Sequence, residues 1–528
     1  MKGRIRKILS LMIICSLTFV SLGISAFAGP VNAASKPSLS KKTVSLKKGK
    51  KTTVKLKNAR KKVVWKTSNK KIVKIVKTKG KYRSTVTIKG LKKGTAYVTA
   101  KYGKKKYKCK VKVGYTKPAP QPVPQPEPEE NIETLPLSGS SENLSAAFTR
   151  IPAGNSSDNE AFRSAVTDFS VDLFSRVSAA ETAAGNNGNI LVSPDSVETA
   201  LAMLELGASG DTLEEMKAVL GGGMDHDDFC SYIAGMNDRL EGSENIIFQQ
   251  ANSIWARKDV MTVYDSFLQQ NKDYFDSEFY VAPFNNETVA DINSWVYNNT
   301  RNMIREVINA LYDDDRMVLV NTTVFEGKWA VPFENVKDGT FTNSAGKAEK
   351  ATMLNELGSC NYFKLNGAKC FERRYKGGEI SFVGILPPEG TTVDDFVQGM
   401  SGSDFRSAWK NMSRSPVRLT MPEFSYDYGT ELETVLQDMG MEKAFSDMAD
   451  FSAMGEPSAM VDRVIHKTHI ELDRNGTKAA AATAIVAKES SAFIENPIEI
   501  RMDRPFVYAL VDTGTGIPLF IGTVKTLN

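Results

Sequence analysis

Histidine is scarce in this 528-residue sequence, occurring only as His226, His466 and His469. That leaves little room for hydrolytic or metal chemistry. The strings that carry such chemistry are also missing, since no G-x-S-x-G, H-E-x-x-H or G-x-x-x-x-G-K-[ST] pattern occurs. His466 and His469 sit three apart in a strand-like run, so their side chains point to opposite faces and cannot share a metal. Cysteine is nearly as rare. Cys15 follows Ile14 inside an apolar run, where a lipid-anchored cysteine would follow a small residue. The other four, Cys109, Cys230, Cys360 and Cys370, form no C-x-x-C pair, which argues against a zinc knuckle or a disulfide scaffold. Cys360 and Cys370 are spaced either to meet across a hairpin or to remain two buried thiols. Long apolar runs are confined to the start, and nothing later reads as a membrane span. Acidic residues are absent from Lys36 to Lys117, a stretch with 31 Lys and Arg. From Pro118 onward there are 33 basic and 61 acidic residues, a formal charge of −28. The overall +7 therefore hides a cationic module joined to an anionic one.

The start is basic at Lys2, Arg4, Arg6 and Lys7, then apolar to about Phe27, with small-residue exits at Ala26-Phe27-Ala28 and Val31-Asn32-Ala33. This is the pattern of a cleaved secretory signal over 1–33, and it predicts a soluble, extracellular protein, with association to the cell surface also open. Residues 36–114 alternate with period two in runs such as Thr53-Val54-Lys55-Leu56, Thr85-Val86-Thr87-Ile88 and Cys109-Lys110-Val111-Lys112-Val113, which predicts a small all-β sandwich. The module resembles the immunoglobulin-like (BIG2-type) repeats of bacterial surface proteins. Pro118, Pro120, Pro122, Pro124, Pro126 and Pro128 then alternate with other residues, and a Pro/Ser-rich linker is expected over 115–158. Amphipathic patterns from Phe162 to Val177 and from Asp211 to Leu220, followed by strand-like runs from about Met317, predict a mixed α and β domain over 159–528.

The stretch from His466 to Phe506 is the most informative. It reads as a strand, a turn at Asn475-Gly476, and a run of small residues from Thr477 to Ala484. Four consecutive alanines favour helix, yet Thr483, Ile485 and Val486 lean to strand, so the run is tolerable both as an exposed loop and as a packed strand. Gly476-Thr477 followed by Ala479, Ala480, Ala481, Ala482 and Thr483 is similar to the hinge of the reactive-centre loop in the serpin family. Met502-Asp503-Arg504-Pro505-Phe506 resembles that family's C-terminal signature, and Asp512 to Gly516 before Leu519-Phe520-Ile521-Gly522 resembles its closing hairpin. Leu319-Val320-Asn321 with Phe325, Gly327, Trp329 and Phe333, and Asn189 with Ser193-Pro194-Asp195-Ser196, match two earlier family motifs in the expected order. The resemblance covers about 370 residues. It implies an α+β serpin fold with a large central sheet, two further sheets, about nine helices and a mobile reactive-centre loop.

The resemblance also implies a non-enzymatic function, suicide inhibition of serine proteases. The protease is caught as an acyl-enzyme, and the cut loop inserts as a new strand of the large sheet. Ser193, Ser196, Asn321 and His466 would belong to the shutter where that sheet parts, and Trp329 to the breach where the loop first enters. By family register the scissile bond falls at Ser490-Ser491, give or take about three residues, which suits elastase-like or subtilisin-like targets held in a covalent complex. Lys488 would suit trypsin-like enzymes if the register slips. Arg474 and Lys478 stand where many family members carry Glu. No cofactor and no metal are expected. For the basic module the expected partner is an anionic wall polymer or glycan, and nucleic acid is disfavoured because aromatic stacking runs are missing. A non-inhibitory body carried on such an adhesive module is the alternative reading.

Overall fold

The computed structural model describes residues 36–113, 134–155, 159–477 and 496–527. The expected signal over 1–33, the proline-alternating run, Ala479 to Thr483 of the hinge and the Ser490-Ser491 bond lie outside the described residues. The chain divides into two compact units, Met1–Pro128 and Glu129–Asn528.

In the first unit, alternation of apolar and charged residues yields eight short strands: β1 (Ser38–Leu39), β2 (Thr43–Leu46), β3 (Lys51–Lys57), β4 (Val64–Thr67), β5 (Val73–Lys79), β6 (Thr85–Gly90), β7 (Gly94–Tyr102) and β8 (Lys105–Val113). They pair as two four-stranded sheets, β1-β3-β6-β5 and β2-β8-β7-β4. Val54, Leu56, Val86, Ile88, Val98 and Val111 fill one shared core. Because side chains alternate across a strand, the lysines between these positions face outward.

The second unit carries nine α-helices among its described residues, together with a seven-stranded central sheet and a nine-stranded sheet. The two further sheets expected from the sequence are this nine-stranded sheet and a small two-stranded one pairing Thr262–Val263 with Gly455–Glu456. In the larger of them the 18-residue strand Ala348–Leu365 is long enough to pair with Asn335–Thr342 and Ser413–Pro422 along much of its length and with Ala368–Arg374 at its end. The central sheet contains β9 (Glu142–Asn143), β10 (Ile246–Arg257), β11 (Glu278–Ala282), β12 (Met317–Lys328), β13 (Phe424–Glu431), β14 (Arg463–Leu472) and β15 (Gly476–Thr477). Their spatial order is β13-β14-β15-β12-β10-β11-β9. Three helices position the site. The long α1 (Glu160–Ala183) is capped by the Asn159 side chain. In α2 (Pro194–Glu205), which has Pro at its first position, every residue is buried. The third, α3 (Asn286–Asn299), opens on a capping box of Asn285 and Thr288. It lays Ile292, Trp295 and Val296 on the outer side of the central sheet, in one cluster with Val318, Val320 and Ile465.

The linker expected over 115–158 is shorter than the sequence suggests, because residues 134–155 pack on the second unit. β9 adds to the edge strand β11, with Asn143 opposite Tyr280. Ser138 donates through its backbone and hydroxyl, and Ser141 through its hydroxyl, to the Asp291 carboxylate of α3 at 2.6–2.7 Å. Leu144 and Phe148 add apolar anchors. Polar composition suggested a spacer, but pairing to a distant edge strand leaves no local trace in the sequence. Cys360 and Cys370 are both free thiols: the hairpin sets Cys370 opposite Phe363, while Cys360 lies opposite Ser415.

Candidate functional site

The central sheet is joined in an unusual way between β12 and β14. These neighbours run parallel and pair directly over Val318–Thr323 and Arg463–Thr468, with Asn321 opposite His466. Above that junction they separate, and β15 occupies the top of the opening, Thr477 lying opposite Gly327 on one side and Leu472 on the other. Two of the expected hinge residues, Gly476 and Thr477, are thus already members of the sheet.

Local chemistry explains this seat. Asp473 accepts from the backbone N–H groups of Asn475 and Gly476 at 2.6 and 3.0 Å, tightening the turn. A β-carbon at Gly476 would lie 2.0 Å from the Gly327 carbonyl oxygen, so only glycine fits between the strands. Thr477 is buried, and its hydroxyl is 2.6 Å from the hydroxyl of buried Tyr375. Trp329 lies flat on Tyr375, with ring centroids 4.5 Å apart, and donates its indole N–H to the Asp473 carbonyl at 3.0 Å. The Arg373 guanidinium covers the Phe333 ring at 3.8 Å. The entrance to the opening is therefore walled by aromatics and stitched to the turn that starts the loop. Arg474, which departs from the family pattern, donates its backbone N–H to Glu423 at 3.1 Å.

The junction itself is bolted by a buried polar network. The Ser193 backbone N–H donates to Nε2 of His466 at 3.0 Å, so Nδ1 carries the ring proton and donates to Oδ1 of Asn321 at 2.7 Å. The Asn321 amide N–H2 group donates to the Ser196 carbonyl at 2.8 Å, and also reaches the Ser196 hydroxyl and the Asn252 side chain. Ser193 adds a hydroxyl bond to the Leu519 carbonyl at 2.9 Å. His466 is wholly buried, and desolvation lowers its pKa to about 3, so it stays neutral. Parting β12 from β14 means breaking the His466–Asn321 bond. Ser193, Ser196, Asn321, His466, Trp329, Gly476 and Thr477 all lie along this opening. His469 faces away and meets Asp427 at 2.8 Å.

Sequence reading missed several participants. Arg373 comes from a strand of the other sheet and Tyr375 from the residue just past its end, where it bridges to Trp329, and neither carries a local signal. Asn252 had a weak one, a polar residue amid the apolar alternation of β10. Beneath this junction, the first half of α2 buries two carboxylates, Asp195 and Glu198. Asp195 is pushed up to about 7 by desolvation and by Asp512, and Glu198 is held well above its usual range by burial and by Asp195. The Gln250 amide bonds one Asp195 oxygen, while the other Asp195 oxygen and both Glu198 oxygens have no hydrogen-bond partner.

Comparison with known proteins agrees with this geometry. The profile of a family described as serpin (serine protease inhibitor) matches residues 164–526. An uncharacterized serpin-like protein of Thermococcus kodakarensis is 32% identical over 370 residues, covering 68% of this chain and 84% of that protein. Antichymotrypsin-2 of Bombyx mori is 30% identical over 363 residues, covering 66% and 96%. Among solved structures, the thermophilic serpin tengpin in its native state superposes with a TM-score of 0.68 at 32% identity, covering 74% of this chain and all of that one.

Proposed function

This chain belongs to the serpin family, and from that premise we propose that it traps serine proteases by drawing its cleaved reactive-centre loop into the gap between β12 and β14. The observation that carries the reading is the seated β15, with Thr477 opposite both Gly327 and Leu472. It supplies a register. Continued antiparallel from Thr477, residue 481 would meet Thr323 and Thr468, Thr483 would meet Asn321 and His466, and 486 would meet Val318 and Arg463. The two sides give the same answer, because Asn321 and His466 are already partners. Residue 487 would reach Met317, where β12 ends, so Ser490-Ser491 would lie just past the far end of the sheet, on the order of 40 Å from the hinge.

The same register explains the composition of the hinge. Thr477, Ala479, Ala481 and Thr483 would share the side that faces α2 and the main core. Ala480, Ala482 and Ala484 would share the side of Val320 and Ile465, beneath α3. Both faces of an inserting strand must pass packed neighbours, so both carry small residues. The scissile bond at Ser490-Ser491 favours shallow-pocket proteases, elastase-like or subtilisin-like, with Lys488 admitting trypsin-like ones. We further read 1–33 as a cleaved secretory signal and the first unit as an immunoglobulin-like module on an extracellular protein.

The test is incubation of the mature chain with elastase, subtilisin and trypsin, followed by denaturing electrophoresis and mass analysis of the released C-terminal peptide. The expected result is an SDS-stable complex with a peptide beginning at Ser491. Complete cleavage with no complex for all three would overturn the inhibitory reading.

A further inference from the structure

The first unit holds a surface that protease inhibition does not use. Residues 36–117 contain 29 Lys, two Arg and no carboxylate, so the module has no acidic side chain of its own to neutralise this charge. Both sheets carry outward lysines, but in different arrangements. On the β1-β3-β6-β5 sheet, the edge strand β5 is broken by a bulge between Ile75 and Lys77, which separates Lys74 from Lys77 and Lys79. On the β2-β8-β7-β4 sheet, β8 pairs without interruption on both sides. It presents Lys106, Lys108 and Lys110 in one exposed row, with successive ammonium stems about 6.7 Å apart.

The register fills in the rest of this face. Lys101 lies directly opposite Lys106. Thr99 lies between Lys108 and Lys66. Lys110 is flanked by Thr43 and Tyr97. The face is thus a straight track of ammonium groups edged by hydroxyls. Like charges set directly across a sheet repel, so the track is strained while bare and is relieved by an anion that bridges its rows.

We propose that this face binds a linear polyol-phosphate polymer of the kind found on bacterial surfaces, its phosphodiester charges lying along β8. A polymer whose phosphates are joined through short polyols repeats its charge at a separation comparable to the lysine spacing. Its free hydroxyls can bond Thr43, Ser45, Thr95 and Thr99, all on the same face. Nucleic acid fits less well. The track is lysine without arginine, which lacks the planar fork that reads base edges, and Tyr97 is the one exposed aromatic on it, too few for a stacking platform.

Binding of poly(glycerol phosphate), hyaluronan and single-stranded DNA to the full mature chain, measured across a salt series, tests the assignment. Poly(glycerol phosphate) is expected to bind most tightly, with affinity falling as salt rises, and to raise the melting temperature of the module. The triple variant Lys106→Gln/Lys108→Gln/Lys110→Gln should lose tenfold or more in affinity, with the log–log salt slope reduced by about three. Lys74→Gln/Lys77→Gln/Lys79→Gln removes the same charge from the bulged edge and should lose far less. Circular dichroism of both variants checks that the sheets persist. Equal losses from the two triples would show charge without a track and overturn the proposal, as would tighter binding of DNA or hyaluronan.

Discussion

At the scale of single residues, the buried titratable groups around the shutter pull stability in opposite directions with pH. His466 has its folded pKa depressed to about 3, so the stability it contributes is present above the free imidazole value near 6.5 and is lost as pH falls toward 3. Asp195 has its folded pKa raised to about 7. Its contribution is present below the free carboxyl value and is lost as pH rises through 7. Asp195→Asn keeps an acceptor for Gln250 and removes the ionisation. It should therefore raise the melting temperature at pH 8 and change it little at pH 4, as read by calorimetry at the two pH values. A gain of the same size at both would mean that Asp195 is not the titrating group. These roles had no signature in the sequence, where Asp195 and Glu198 look like ordinary acids near a helix start. Only packing α2 between two sheets removes them from water.

At the scale of elements, the strand proposed to insert would have two faces, each with its own neighbours to pass. In the proposed register Ala484 would fall opposite Val320 and Ile465, in the cluster that Ile292, Trp295 and Val296 of α3 cover, whereas Lys478 would sit at the open top beside Glu326. Ala484→Arg should convert the chain from inhibitor toward substrate, with the number of inhibitor molecules consumed per protease trapped rising several-fold. Lys478→Arg should leave that number unchanged, because a charged side chain stands there already. Titration of protease activity against added inhibitor reads both, and equal behaviour of the two variants would remove the register. The sequence shows a run of small residues tolerable as a loop or as a packed strand. It could not explain why the alanines are consecutive, since that requires knowing that a helix lies across the outer face.

At the scale of the whole molecule, the proposed insertion would exchange the direct ladder between β12 and β14 for one on each side of a new strand. The net gain would be about ten ladder bonds, which at about 0.5–1.5 kcal/mol each comes to on the order of ten kcal/mol. Loop-cleaved protein should then melt on the order of 20 °C above intact protein. Differential scanning calorimetry before and after limited proteolysis checks this, and an unchanged melting temperature would mean that the strand does not insert. The described sheet has the features such an exchange requires: its junction is six residue pairs long, its opening is occupied at the top by Gly476 and Thr477, and one polar network holds the middle.

The sequence by itself determined the two-module charge split, the alternating strands of the first unit, the serpin resemblance and the small-residue hinge. Each of these is written in neighbouring residues, as a period, a composition or a motif. The tertiary structure decided that residues 134–155 belong to the body, that Tyr375 and Asn252 complete the site, and that Asp195 and Glu198 are held without solvent. It also decided that Gly476 and Thr477 are seated between β12 and β14. Those outcomes depend on which strands lie side by side and what they bury, and such contacts join residues hundreds of positions apart that no local pattern relates.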